Sequence, residues 1–249
     1  MFTAINQTFA SLLIYLANFL GGNLGFAIIA FTIIIRGLLV PLTLPSLKSQ
    51  NKLRNLKPQL DQLKKQFGHD KKLHSQKQLE LYQQHGLNPA AGCLPQILQL
   101  IVLIVLYQVL INTLNGTNLD SLSLDFYGLK LNHPDTTYIL PIIAGLTQFI
   151  LGVMLMPATS TKAEHQLAAQ THSKKDDKAA DTMTDMAGAM QTQMIFVMPI
   201  ITVLFASRFP SGLALYWVAT TVFSIVQQYF VSGSGGLKPY LAKIGLKRS

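Results

Sequence analysis

Arg36 is the single charged residue between Met1 and Leu47. The residues around it are apolar over a length that fits a membrane-spanning helix. Placing a guanidinium at the centre of a bilayer costs at least about 2.5 to 3.5 kcal/mol, so an intramembrane arginine usually faces a polar partner or a water-filled cavity. The sequence therefore predicts a polar space inside the protein, with Arg36 facing it.

Other polar residues recur at helical spacing within apolar segments. Thr32 lies four residues before Arg36 and projects from the same helix face. In a second segment Gln96 and Gln99 share one face, whereas Gln108 points nearly opposite. A third segment carries Tyr216, Thr220, Ser224 and Gln227 at steps of four, four and three, with Trp217 adjoining. If these stripes face one another they enclose a hydrophilic groove, which we predict to be lined by Arg36, Thr32, Gln96, Gln99, Tyr216, Trp217, Thr220 and Ser224.

A purely structural role stays open for each of these residues except Arg36. Serine and threonine hydroxyls in membrane helices often bond to carbonyls of their own helix, and glutamine commonly bonds between helices. Tyrosine and tryptophan are common at the membrane interface. The residue types alone fit both these roles and the lining of a groove.

The pattern of nucleophiles and bases does not indicate an enzyme. The predicted spans contain no histidine that could act as a base, and Ser211 lies in a Pro-Ser-Gly turn. His69, His74 and His85 lack the helical spacing of metal ligands. The lone Cys93 cannot form an internal disulfide. We therefore predict no catalysis, no metal and no cofactor.

Composition indicates a membrane protein, since 49% of the residues are hydrophobic and 12% are charged. Long apolar intervals that are almost free of charge predict five spans, at residues 24–45, 90–112, 137–156, 191–207 and 211–231. These runs lack the alternation of barrel strands, so each is expected to be a helix. The predicted fold is an all-α polytopic membrane protein with five transmembrane helices around a hydrophilic groove, plus a cytoplasmic antiparallel helical hairpin.

Lysine and arginine counts orient the predicted spans. Residues 46–89 carry nine, and residues 157–190 and 232–249 carry four each, whereas Lys130 is alone in residues 113–136. By the positive-inside rule the first three segments are cytoplasmic and the last is extracytoplasmic, with the N-terminus outside and the C-terminus in the cytoplasm. The sequence thus predicts a hairpin at 46–89, a mobile polar loop at 157–190 and a basic tail at 232–249.

The first 23 residues have an apolar run that is too short to cross a bilayer comfortably. They also lack the basic start of a secretory signal. We predict an interfacial helix on the outer face for residues 1–23, with Gly21 and Gly22 as a hinge. Whether a signal preceded this segment is left open.

An amphipathic stripe marks the first helix of the hairpin, in which apolar residues recur at three and four positions: Leu53, Leu56, Leu60, Leu63 and Phe67. Pro58 lies inside this pattern and is expected to kink the helix or mark its weakest turn. A second helix follows Asp70 and ends near Gly86. We predict a cytoplasmic docking surface of Lys52, Arg54, Lys57, Lys64, Lys65, Lys71 and Lys72.

Several short motifs resemble the YidC/Oxa/Alb family of membrane protein insertases, in the family's order. They are Gly25 to Ile29, Ile35-Arg36-Gly37, Pro41-Leu42-Thr43, Asn88-Pro89, Gly92-Cys93-Leu94-Pro95 with Gln99, Tyr138 to Pro141, Phe209 to Leu213, Leu215-Tyr216 and Gln227-Gln228. The resemblance covers residues 23–231 and is closest to the compact bacterial form. Trp217, where a second tyrosine is usual, and Gln96, where aliphatic residues are common, depart from the family pattern.

The resemblance implies insertion and folding of newly made membrane proteins through a groove open to the cytoplasm, without nucleotide hydrolysis, in a bacterial plasma membrane. Arg36 would be the groove charge, Thr32 and Gln99 its polar lining, and Tyr216 with Trp217 the surface along which a substrate helix slides. The expected partners are nascent membrane proteins and the lipid bilayer, with the ribosome and the Sec translocon as further candidates. A small-solute or ion transporter or channel with an arginine-lined cavity is the alternative, although the sequence lacks the internal repeats usual in transporters.

Overall fold

A computed structural model describes residues 2–87, 94–114, 122–155 and 196–237 of the chain. The helices in these ranges are α1 (Phe2–Phe19), α2 (Leu24–Asn55), α3 (Lys57–Phe67), α4 (Lys71–Gln84), α5 (Leu94–Leu114), α6 (Ile139–Leu155), α7 (Phe196–Ala206) and α8 (Ser211–Ser232), with a 3₁₀ turn at Gly235–Leu237. Strands β1 (Asp125–Phe126) and β2 (Leu129–Lys130) form a small antiparallel hairpin. The predicted loop at 157–190, nearly all of the predicted tail and the motif residues 88–93 lie outside the described residues.

The apolar helices give the fold its membrane character. By length and composition α2 and α8 can cross a bilayer, while α6, α7 and the Ile97–Val109 part of α5 are apolar but shorter. Their outward faces expose large apolar side chains, including Leu38, Leu100, Leu146, Ile200 and Phe230. Water-soluble proteins rarely expose apolar surface on every face, whereas lipid accepts it. The all-α membrane fold is therefore confirmed, whereas the number of five spans and their boundaries stay a prediction.

Helix α2 begins where the sequence predicts a hinge. Gly21 and Gly22 form the turn after α1 with φ of 82° and 79°, a left-handed conformation that glycine adopts without strain. The side chain of Asn23 then caps α2 by accepting from the backbone N–H of Gly25 at 2.9 Å. This cap fixes the start of the helix that carries Arg36.

The other end of α2 corrects one prediction. The helix continues through Pro41 and Pro45 as far as Asn55, so Leu53 belongs to α2. Pro58 lies in the first turn of α3, where its missing N–H would have had no helical partner, so it follows a break at Leu56 between two helices instead of kinking one continuous helix. The predicted second helix is present as α4, which the Asp70 side chain caps at the Leu73 N–H.

The bundle is built around α2 and α8. These two helices pack extensively on each other, and α6 packs on α8. Helix α1 packs on both α2 and α5, whereas α5 contacts α2 and α8 only over short stretches. The shared core contains Leu13, Phe31, Leu106, Leu131 and Tyr216, all with exposures of 1% or less.

Residues 122–137 tie the first turns of α2 and α8 together. The N–H of Leu24 donates to the carbonyl of Ser123 at 3.0 Å. The N–H and the hydroxyl of Ser211 both donate to the carbonyl of His133, at 2.8 and 2.7 Å. Ser211 therefore has a structural role at the start of α8, as its Pro-Ser-Gly context suggests.

Candidate functional site

Arg36 lies on α2 twelve residues after Leu24, which at 1.5 Å per residue places it about 18 Å along the helix. It faces a narrow pocket between α2, α5 and α8. The pocket holds about 250 Å³ of empty space, which includes its open side. We call it the Arg36 pocket, and it is lined by Thr32, Ile35, Arg36, Leu39, Leu98, Gln99, Val102 and Tyr216.

Gln99 joins the three helices. Its side-chain carbonyl accepts a hydrogen bond from an Nη of Arg36 on α2. Its amide nitrogen donates to the hydroxyl of Tyr216 on α8 at 3.3 Å. An amide can accept with its oxygen while it donates with its nitrogen, so one glutamine serves both neighbours. The sequence predicts all three residues as groove lining, and the structure brings them together.

The positive charge of Arg36 lacks a counter-charge within the described ranges. Its hydrogen-bond partner there is a neutral amide, and no carboxylate of the described residues lies within ion-pair distance. A guanidinium has five N–H donors. In this part of the structure most of them therefore stay available to water or to a bound polar group.

Thr32 is 1% exposed, and its hydroxyl donates to the carbonyl of Ile28 at 2.6 Å. Its donor is thus used within its own helix, which is the structural role that stayed open for threonine. Thr32 therefore lines the Arg36 pocket, but its hydroxyl proton is already used in a hydrogen bond within α2.

The predicted residues of α8 separate into two sets. Tyr216 lines the Arg36 pocket and is 1% exposed. Thr220 is buried, and Ser224 donates to its carbonyl at 2.9 Å, so these two continue the stripe outside the pocket. Trp217 is half-buried and lies outside the lining. The side chain of Gln96 is not among those described.

Sequence reasoning missed a direct polar contact between α2 and α8. The side-chain amide of Gln227 donates to the hydroxyl of Thr43 at 3.0 Å. Thr43 lies seven residues, or about two turns, after Arg36, so extending the α2 stripe would have found it. This hydrogen bond joins α2 to α8 about two turns beyond Arg36.

The predicted docking cations occupy different environments. Arg54 donates to the carbonyl of Met154 at 3.0 Å. Arg54 thus connects the end of α2 to the end of α6. Lys52, Lys65 and Lys72 are exposed, and Lys64 is exposed on α3. Lys57 is half-buried, and the Lys71 side chain is not among those described.

Comparisons with known proteins point to one family. Residues 15–235 match the family of the 60Kd inner membrane protein. The chain is 31% identical over 214 residues to a membrane protein insertase YidC of Fusobacterium nucleatum, covering 86% of this chain and 88% of the relative. It is 34% identical over 245 residues to the membrane protein insertase YidC 1 of Halalkalibacterium halodurans, covering 95% and 82%.

Longer relatives match over part of their length. The chain is 35% identical over 226 residues to a membrane protein insertase YidC of Shewanella halifaxensis, covering 91% of this chain but 35% of that protein. A crystal structure of an active YidC insertase with its first transmembrane domain resolved has the same fold, with a TM-score of 0.64. It is 23% identical and is aligned over 92% of this chain and 47% of that chain.

Proposed function

Because the chain belongs to the 60Kd inner membrane protein family, with relatives named membrane protein insertase YidC, we propose that it inserts newly made membrane proteins through the Arg36 pocket. The observation that carries this proposal is a guanidinium inside a helical bundle, whose hydrogen-bond partner among the described residues is a neutral amide. A buried cation that served only stability would be expected to have a counter-charge. A cation that binds an incoming anionic group needs N–H donors that the protein does not already use.

The charge of Arg36 gives the pocket a preference for acidic polypeptide. At an effective dielectric constant of about 20, two unit charges about 8 Å apart attract by about 2 kcal/mol. Where the short outer flank of a substrate helix carries aspartate or glutamate, this attraction would draw it from the cytoplasm. Arg36 therefore acts on the flank, while the apolar part of the substrate stays in lipid.

Translocation of that flank needs no nucleotide in this mechanism. A polar recess within the bundle shortens the hydrocarbon path, and the cost of transfer falls with the length over which polar groups lose water. A membrane potential that is negative inside then pulls an acidic flank outward with about 2.3 kcal/mol per charge per 100 mV. Burial of the substrate's apolar segment in lipid completes the insertion.

The proposed orientation places the N-terminus outside and α3 with α4 in the cytoplasm. It is supported by the exposed lysines of the hairpin, of which Lys52, Lys65 and Lys72 are examples. The same cations suit anionic lipid headgroups or ribosomal RNA as partners. Cooperation with a Sec translocon is a further part of the proposal that rests on the family alone.

Reconstitution into liposomes tests the function. The purified protein should translocate the acidic tail of a single-span substrate without ATP, as measured by protection of the tail from added protease. Loss of about 2 kcal/mol of attraction predicts that Arg36→Ala lowers the insertion rate at least roughly tenfold. Arg208→Ala is the matched control, since Arg208 is an exposed arginine in the turn before α8.

Two results would contradict the proposal. One is equal insertion by Arg36→Ala and by the unaltered protein. The other is ion flux through the reconstituted protein without any substrate, together with no protected tail, which would indicate a channel instead.

A further inference from the structure

Gln108 is a polar residue of α5 that the Arg36 pocket leaves unused. It lies nine residues after Gln99, which corresponds to half a turn more than two full turns and to about 13.5 Å along the axis. The two glutamines therefore point in opposite directions from α5. A polar side chain on the outer face of an apolar helix calls for a partner, because lipid offers none.

The partner of Gln108 is on α1. The side-chain amide of Asn6 donates to the Gln108 side-chain carbonyl at 2.6 Å. Apolar packing continues this contact along α1, where Leu13 and Ala17 are 1% and 0% exposed. The opposite face of α1 carries Tyr15, which is 67% exposed. Helix α1 thus has one face packed into the bundle and one face outside it.

Among the described helices, α5 packs most extensively on α1. Its contacts with α1 are more extensive than its contacts with α2 or with α8. Val105 and Val109 of α5 are buried in the same core as Leu13 and Ala17. Among the described residues, the helix that carries Gln99 therefore packs mainly on α1, and α1 does not line the pocket.

We infer that α1 is a positioning element for the Arg36 pocket, with Asn6 and Gln108 as positioning residues that set the distance of α5 from α2 and α8. The inference rests on the proposed function for its effect on insertion. Releasing Gln108 lets α5 move away, which breaks the geometry between Gln99, Arg36 and Tyr216. The separation of α5 from α2 and α8 then depends on α1. The rate at which the pocket captures a substrate flank depends on that separation.

Distance measurements in the full chain test this inference directly. Spin labels on Leu100 of α5 and Val222 of α8, both exposed, report the α5–α8 separation in a background with Cys93→Ser. Asn6→Ala and Leu13→Ala should broaden the distance distribution and shift it by about 1 to 2 Å, the scale of helix shifts in switching proteins. Insertion of the acidic-tailed substrate should fall at least about threefold.

Matched controls separate positioning from general damage. Gln7→Ala removes an exposed amide on the same helix, and Tyr15→Ala removes an exposed ring, so both should leave the distance unchanged. Exchanging the pair as Asn6→Gln with Gln108→Asn keeps the number of side-chain carbons and the bond. This double variant should keep the α5–α8 distance of the unaltered protein. Its insertion rate should lie within about twofold of the rate of the unaltered protein.

An unchanged distance in both Asn6→Ala and Leu13→Ala, in protein that remains monodisperse, would overturn the inference. An α5–α8 distance in the exchanged pair that differs from that of the unaltered protein would also overturn it. The distance needs no substrate, so a protein that inserts nothing refutes the proposed function while the role of α1 is still decided.

Discussion

At the scale of single residues, the pocket depends on a neutral partner for a charged group. A carboxylate beside Arg36 would cancel the field that attracts a substrate flank, whereas Gln99 orients the guanidinium and leaves its charge in place. Tyr216 in turn fixes the amide of Gln99. The hydrogen bonds among these three side chains thus orient the guanidinium without neutralising its charge.

This arrangement predicts a graded effect for Gln99→Leu. The substitution leaves the charge but removes its acceptor, so stability should fall by about 1.5 to 3 kcal/mol, as expected for a lost hydrogen bond to a charged group. Insertion should fall less than in Arg36→Ala. Thermal unfolding in detergent, combined with the liposome assay, measures both effects. A loss of insertion as large as that of Arg36→Ala would show that orientation matters as much as charge.

At the scale of elements, the side chain of Asp135 accepts a hydrogen bond from the first turn of α6. Burial raises the pKa of this carboxyl, but hydrogen bonds from the Thr137 side chain and from the backbone N–H groups of Leu140, Thr137 and Ile139 outweigh burial, so the pKa lies below its usual value. A depressed folded-state pKa stabilises the protein above the unfolded pKa of about 3.9. That contribution is lost as the pH falls through the folded-state pKa.

Asp135→Ala should therefore lower stability by about 1 to 2 kcal/mol at neutral pH, the usual cost of a lost helix cap. The difference from the unaltered protein should shrink as the pH falls from 5 toward 3. Melting temperatures in detergent across this range measure it. A difference that stays constant with pH would mean that the charge of Asp135 is not what stabilises the cap.

Gly25 and Gly37 of α2 offer a second test at this scale. A Cβ on Gly25 would lie 2.2 Å from the Phe126 ring of β1 and 2.9 Å from its Cβ, whereas a Cβ on Gly37 meets nothing within 4 Å. Gly25→Ala should destabilise the protein by about 1 to 3 kcal/mol through overpacking. Gly37→Ala should be neutral or stabilising by up to about 1 kcal/mol.

Unfolding midpoints of the two glycine variants measure this difference. The double variant Gly25→Ala with Phe126→Ala should regain part of the loss caused by Gly25→Ala, because the ring that meets the new methyl is gone. Equal midpoints for Gly25→Ala and Gly37→Ala would contradict the close approach of β1 to α2.

At the scale of the whole molecule, orientation decides which face receives a substrate. We expect the β1–β2 hairpin to lie outside and the α3–α4 hairpin to lie in the cytoplasm. With Cys93→Ser as background, Tyr127→Cys should react with an impermeant thiol reagent on intact cells. Lys65→Cys should react only after permeabilisation. The reverse pattern would invert the proposed orientation and place the basic hairpin outside.

The sequence by itself determined the kind of elements and the faces of the helices. Charge-free runs indicated membrane helices, the spacing of Thr32 and Arg36 fixed their shared face, and Gly21 with Gly22 marked the turn before α2. Short motifs spread over the chain indicated the family. All of these are local properties, because helical periodicity and turn chemistry act within a few residues.

Only the tertiary structure decided which faces meet. Gln99 contacts Arg36 across 63 residues and Tyr216 across 117, and no local pattern specifies such partners. The same holds for Gln108 with Asn6, for Gln227 with Thr43, and for the position of Trp217 outside the pocket. Helix periodicity gives the direction of a side chain about its own axis, but the packing of whole helices against one another chooses the neighbour.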